Sequence, residues 1–180
     1  MKNIKQANTL NWEKIDIGCG PKKTPGHIGV DIYPYEGVDV VQNFDEFPWN
    51  IPDQCCSHIR CIQVIEHMRD LRIFFKELHR ISKKGCLIRI ETPHYSSASS
   101  WGDPTHLHHL SVDFAKPFTS GYLEKQLPGF EVIEKKISFG SFFWTWPGRL
   151  IYLILGARNY ERRFCWIFPA SCVKLTLKRI

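Results

Sequence analysis

Two stretches hold most of the side chains able to do chemistry. The first, "EKIDIGCGPKKTPGHIGVDI" from Glu13 to Ile32, sets Asp16, Gly18, Gly20 and Asp31 around two short apolar runs separated by a Gly/Pro/Lys turn. Glycine lets a ligand approach the backbone closely, and a carboxylate at a strand end can accept two hydrogen bonds from a ribose diol. Those residue types point to a nucleoside-containing ligand. The second, "HYSSASSWGDPTHLHHL" from His94 to Leu110, carries four histidines and Asp103. It supports two functional readings. In one, His106 or Asp103 takes a proton from an acceptor hydroxyl while Trp101 and Tyr95 stack against a sugar ring or another flat apolar face. In the other, His94, His106 and His108 or His109 ligate a metal such as zinc, with Asp103 behind them or as a fourth ligand. The structural alternative is a polar loop built on turn-and-cap chemistry. His67, in an apolar neighbourhood, is either a pocket wall or a core residue bonded to backbone.

A scaffold must gather these groups. Ile15-Asp16-Ile17, Ile28-Gly29-Val30, Val38 to Gln42 and Ser57 to Val64 read as short buried strands, each followed by turn residues or a polar switch. Leu71, Phe74, Phe75, Leu78 and Ile81 recur at the spacing of a helix with one buried face, and Asp70 suits its N-cap. Cys86 to Ile90 returns as a strand closed by Thr92-Pro93, completing a strand, crossover helix, strand unit that lays strands side by side in parallel. Phe130 to Phe139 and Val173 to Leu177 alternate as later strands, with an aromatic, helical segment over 142–168 between them. The class is α/β. In open parallel sheets, ligands bind beyond the carboxyl ends of the strands. Those ends hold Gly18-Cys19-Gly20, Asp31, Asn43, Gln63 to His67, and Thr92 to His94.

At these positions the chain resembles the class I S-adenosylmethionine-dependent methyltransferases. The resemblance rests on "IDIGCG", "GVDI", "VIEHM" and "ELHRISKKGCLIRIETP", in family order over about residues 12 to 95. More narrowly, the chain is similar to the small methyltransferases of bacterial surface-polysaccharide clusters, which share a "DPTH" after the fifth strand. The resemblance implies a Rossmann-like three-layer sandwich with a mainly parallel seven-stranded sheet. It implies S-adenosylmethionine as cofactor, with Asp16, Gly18 and Gly20 along the methionine half and Asp31 on the ribose. Ile32 and Phe44 would flank adenine, Asn43 would stand near its amino group, and Gln63 by the methionine ammonium. The acceptor would meet His67, His94, Tyr95 and Trp101, with His106 and Asp103 at the chemistry and no metal required. Asp31 follows Gly20 by only eleven positions, so the first crossover helix is one turn or absent and the pocket more open. Asn43 stands where the family usually has aspartate.

Composition narrows the partners. A chain of 180 residues is most simply one domain, able to bury roughly 70% of its unfolded surface: a cofactor core at 12–95, an acceptor loop at 94–115 and an aromatic insertion at 140–170. The net charge of +6 is scattered through Lys22-Lys23, Lys83-Lys84, Arg158, Arg162-Arg163 and the Lys174 to Arg179 tail. A nucleic-acid reader would show one dense basic stripe. Seven cysteines, an odd set without C-x-x-C, and a Met1 start without signal-peptide order predict free thiols in a reducing cytoplasm. The segment "FGSFFWTWPGRLIYLILGARNYERRF" is the most apolar, but Arg149 and the Pro147-Gly148 break interrupt it, which argues against a spanning helix. It reads either as a helix packed on the sheet or on a second subunit, or as a lid at a membrane surface. In the lid, Trp144 and Trp146 sit at the interface and Arg158, Arg162 and Arg163 face anionic headgroups.

Three other functions fit parts of the pattern. A dinucleotide-binding dehydrogenase needs a third glycine opening a helix onto a pyrophosphate, and Pro21, Lys22 and Lys23 follow Gly20 instead. A metal-dependent hydrolase would rest on the His94 to His109 loop. A non-catalytic membrane or complex adaptor would keep the fold without the activity.

Overall fold

The computed structural model describes residues 10–119, 129–141 and 143–180. Seven strands form one sheet: β1 (Lys14–Ile17), β2 (Ile28–Asp31), β3 (Val40–Val41), β4 (Cys56–Ile62), β5 (Ser82–Pro93), β6 (Phe130–Ser138) and β7 (Cys172–Arg179), in the order β3-β2-β1-β4-β5-β7-β6. β1 to β5 pair in parallel, with Ile15 opposite both Ile28 and Ile59. β7 runs antiparallel to β5 and β6. The order reverses between β1 and β4, which opens a crevice at their carboxyl ends. The α/β class, the mainly parallel sheet and the seven strands agree with expectation.

Helix α1 (Leu71–Ile81) forms where the periodicity predicts it. The Asp70 carboxylate accepts from the Arg72 and Ile73 backbone N–H groups at 2.8 and 3.3 Å, satisfying donors that the first turn leaves unpaired. Phe74, Phe75, Leu78 and Ile81 are fully buried against the sheet, each contributing roughly 1.5–3 kcal/mol of burial. At the C-terminal end, Arg80 grips Glu77, the Asp53 carboxylate and the carbonyls of Trp49 and Ile51. This network pins the irregular 42–55 connection beneath the helix.

No helix joins β1 to β2, in keeping with the short interval. Three aspartates hold the loop instead. Asp16 accepts from the Thr24 N–H at 2.9 Å, Asp31 from Gly20 at 2.8 Å, and Asp39 from Gly29 at 2.8 Å while pairing with Lys23 at 2.6 Å. The turn that a crossover helix would have ordered is thus fixed by carboxylates on its backbone.

Several bounds depart from expectation: β3 spans only Val40–Val41, β5 begins at Ser82 ahead of Cys86, and two further differences have a visible cause. β4 stops at Ile62 rather than Val64, because Gln63 turns into the left-handed region (φ 56°) and a short 3-10 helix, Ile65–His67, follows. After α2 (Ala98–Gly102) and α3 (Lys116–Thr119), the aromatic segment folds as α4 (Trp146–Arg163), but the expected interruption at Pro147-Gly148 is not there. Pro147 lies in the first turn, where its missing N–H costs nothing. The break falls at Gly156, with φ 76° and ψ 166°. Phe142 lies outside the described residues.

α4 is anchored by a second core of Val112, Ile137, Phe139, Tyr160, Cys165, Ala170 and Val173. Trp144, Trp146, Leu153, Ile154, Trp166 and Ile167 remain exposed. No helix among the described residues is long and apolar enough to cross a membrane.

Candidate functional site

The carboxyl ends of β1, β2 and β4 enclose a cavity of about 480 Å³, a size that suits a nucleoside-containing ligand. Gly18 and Gly20 form its floor, and Asp31, Ile32, Asn43, Phe44 and Gln63 its walls. Both glycines have positive φ (64° and 57°). A Cβ on Gly18 would stand 2.2 Å from a Val64 methyl, so close packing excludes any side chain there. Asp31 is buried; one oxygen accepts from Gly20 N–H and the other from Tyr33 N–H at 3.0 Å. Each oxygen keeps a free lone pair, which is what a ribose diol requires. Seven of the eight residues expected at the cofactor are therefore together.

Asp16 is the correction. It is fully buried beneath the turn, bonded to Thr24 N–H and to the Arg60 guanidinium at 2.9 Å, and it holds the loop instead of lining the cavity. Further wall residues, Tyr33, Tyr35, Asp45 and Thr105 among them, were not expected. Tyr33 and Tyr35 immediately follow Asp31 with their rings 5.8 Å apart, and exposed aromatics just after a candidate ribose ligand are the signal that could have found them. Beside the turn, Cys19 is buried and its thiol is pushed up to about 11, first by burial and then by the charges of Asp31 and Asp16.

A second cleft of about 600 Å³ adjoins the first and shares Gln63 and His67 with it. Pro93, Ser99, Gly102, Asp103, Pro104 and His106 complete its lining. The left-handed backbone of Gln63, costly for a side-chain-bearing residue, stands at the junction of the two spaces.

The structure sorts the histidine-rich loop. His106 faces the cleft, with its ring 4.7 Å from that of His67. His108 bonds the Met68 carbonyl at 2.7 Å and His109 the Ser100 hydroxyl at 2.9 Å, so both tie the loop down. The other expected acceptor residues lie elsewhere. His94 is fully buried; its Nδ1 accepts from the Ser96 N–H at 3.1 Å, which leaves Nε2–H to donate to Glu161 at 3.1 Å. Tyr95 donates to the Glu161 carbonyl at 3.0 Å. These two clamp α4 to the end of β5. Trp101 is exposed, donates to the Tyr95 carbonyl and stacks on His109 at 3.5 Å, outside the cleft. A polar residue that serves packing has the same sequence signature as one that serves a ligand, and only burial and partners separate them.

Glu66, whose role its sequence neighbourhood does not reveal, is fully buried behind the cleft. One carboxylate oxygen accepts from the Thr92 hydroxyl at 3.0 Å; the other has no hydrogen-bond partner among the described residues. Burial pushes its pKa up. The Thr105 hydroxyl and N–H hold the Asp103 carboxyl below the usual range.

The sheet order, the glycine turn, the acidic β2 end and the adjoining cleft together define a class I methyltransferase fold. A methyltransferase domain family model matches residues 7–135, well over half of the chain. The chain belongs to that family and is an S-adenosylmethionine-dependent methyltransferase. A methyltransferase from Archaeoglobus fulgidus superposes with a TM-score of 0.60 at 21% identity, covering 98% of this chain and 91% of that one. One from Mesorhizobium loti gives 0.58 at 11%, covering 94% and 93%. Coclaurine N-methyltransferase, solved with N-methylheliamine and S-adenosylhomocysteine, gives 0.57 at 13%, covering 97% and 70%. No curated protein sequence matches.

Proposed function

We propose that the chain methylates a small-molecule or glycan-type acceptor, at oxygen or nitrogen, held in the cleft between His67 and the Asp103-to-His106 turn. The observation that carries this reading is the adjacency of the two spaces: a cavity suited to a nucleoside opens, across Gln63 and His67, onto a polar cleft. When bound, S-adenosylmethionine supplies an electrophilic methyl group on a sulfonium. Asp31 accepts from the ribose hydroxyls, Ile32 and Phe44 flank the adenine, and Gly18 and Gly20 admit the methionine half. Asn43 stands near the adenine amino group, and Gln63 stands by the ammonium. The remaining work is alignment of the acceptor and loss of its proton. His106 stands on the acceptor side of that alignment, with Asp103 beside it.

The exposed apolar surface of α4 and of the turn before it suits a membrane-surface contact, with Trp144, Trp146, Leu153 and Ile154 meeting the acyl boundary and Arg162 and Arg163 meeting anionic headgroups. A lipid-linked acceptor would be presented in this way.

S-adenosylhomocysteine should raise the melting temperature in a concentration-dependent manner, since a ligand specific for the folded chain stabilises it by about 2.7 kcal/mol at a hundredfold excess over Kd. Adenine alone should do little. An unchanged melting curve up to millimolar S-adenosylhomocysteine would contradict the cofactor assignment.

A further inference from the structure

Three electron-rich groups converge at the wall between the two spaces. A carboxylate oxygen of Glu66 and one ring nitrogen from each of His67 and His106 all lie within 4.8 Å of one another. The hydrogen bonds fix what those rings present. His106 Nδ1 contacts the Ser100 carbonyl at 3.0 Å, and a carbonyl only accepts, so Nδ1 carries the proton. His67 Nδ1 contacts the Thr105 carbonyl at 3.2 Å and its hydroxyl at 3.0 Å. That hydroxyl gives its own proton to Asp103 at 2.6 Å, so it too accepts from His67. Both imidazoles are thus held as Nδ1–H tautomers with a lone pair on Nε2. The unpartnered oxygen of buried Glu66 adds a third acceptor. Gathered acceptors repel one another, and either a proton on Glu66 or a cation among them relieves that repulsion. Nδ1–H on a backbone carbonyl with Nε2 free is also the arrangement by which proteins orient metal-ligating histidines.

We propose that Glu66, His67 and His106 form a site for a first-row divalent metal ion on the acceptor side of the methyl-transfer pocket. Two imidazoles and one carboxylate suit zinc or manganese and leave coordination positions open. Asp103, whose free oxygen lies 3.8 Å from His106 Nε2, borders the open side. The inference rests on the methyltransferase reading and deepens it: the open positions face the cleft, so the acceptor group is a hydroxyl. Coordination acidifies that hydroxyl and its proton leaves to solvent. The oxygen lone pair then forms the new C–O bond as the methyl C–S bond breaks, leaving a neutral thioether. His106 accordingly acts as a metal ligand, and the proton does not pass through it.

The test uses the untagged full chain, stripped with a chelator and titrated calorimetrically with zinc and, separately, manganese; each variant is also titrated with S-adenosylhomocysteine. One ion of at least one metal should bind per chain. Glu66→Gln and His106→Gln should each weaken that binding a hundredfold or more, His109→Gln should leave it unchanged, and all should keep S-adenosylhomocysteine affinity. His67→Gln provides a third ligand variant should Glu66→Gln fail to fold. S-adenosylhomocysteine binding without a stoichiometric ion of either kind, or loss of the ion in His109→Gln, would overturn the metal site and leave the methyltransferase reading standing. A bound ion without S-adenosylhomocysteine binding would overturn the hydroxyl-acceptor role.

Discussion

A carboxylate that already bonds two backbone N–H groups is doing structural work before any ligand arrives. Asp31 does so for Gly20 and Tyr33, so it orders the turn and presents its remaining lone pairs in one geometry. Cys19 sits inside that same turn, and its raised pKa keeps it a neutral thiol near pH 7–8. Cys19 should therefore resist iodoacetamide at pH 8 in the folded chain and react once the chain is unfolded, as peptide mass mapping would detect. Rapid labelling in the native state would contradict the packing of the turn. At this scale the sequence was most legible where spacing and chemistry coincide, as at Gly18, Gly20 and Asp31. It was least legible where one residue type serves two roles. His94 and His106 are both histidines of one loop, yet one is a buried clamp on Glu161 and the other faces the cleft.

The elements show why the buried face of helix α1 was readable and that of α4, itself expected as a helix, was not. α1 buries a single stripe, so its periodicity reports its packing directly. α4 is apolar on more than one side, so no stripe marks which residues meet Tyr160 and the second core and which face outward. Its break was misplaced for a related reason: proline is the stronger breaker in a helix interior, but in the first turn it is harmless, and the glycine with free backbone conformation takes the kink. Where α1 meets β7, His79 accepts from the Arg179 side chain at 3.1 Å. Burial, then the Arg179 charge, lowers the His79 pKa. The folded state thus disfavours the protonated ring. Its contribution to stability is complete above about pH 6.5, the unfolded value, and is lost as pH falls from there toward the lower folded pKa. Denaturant unfolding from pH 7.5 down to 5 should show that decline, and His79→Gln should flatten it; an identical slope in the variant would contradict the assignment.

Across the whole molecule, a helix-free first crossover and an aromatic lobe distinguish this chain from a plain doubly wound sheet. The lobe's exposed tryptophans and arginines predict co-sedimentation with anionic phosphatidylserine vesicles that salt reverses, because surface attraction is screened within about 8 Å at physiological ionic strength. Neutral vesicles should retain less, and negligible binding to both would leave the lobe's outward surface to a protein contact. The central claim is that the sheet's switch point, held open by carboxylates in place of a crossover helix, binds the adenosyl cofactor. Calorimetric titration of S-adenosylhomocysteine into the parent chain and Asp31→Ala tests it most directly. The account predicts saturable one-to-one binding in the parent, weakened in the variant by roughly 1.5–3 kcal/mol, the range for lost hydrogen bonds to a charged group. Equal affinity in the two folded proteins, or no binding in the parent, would contradict it.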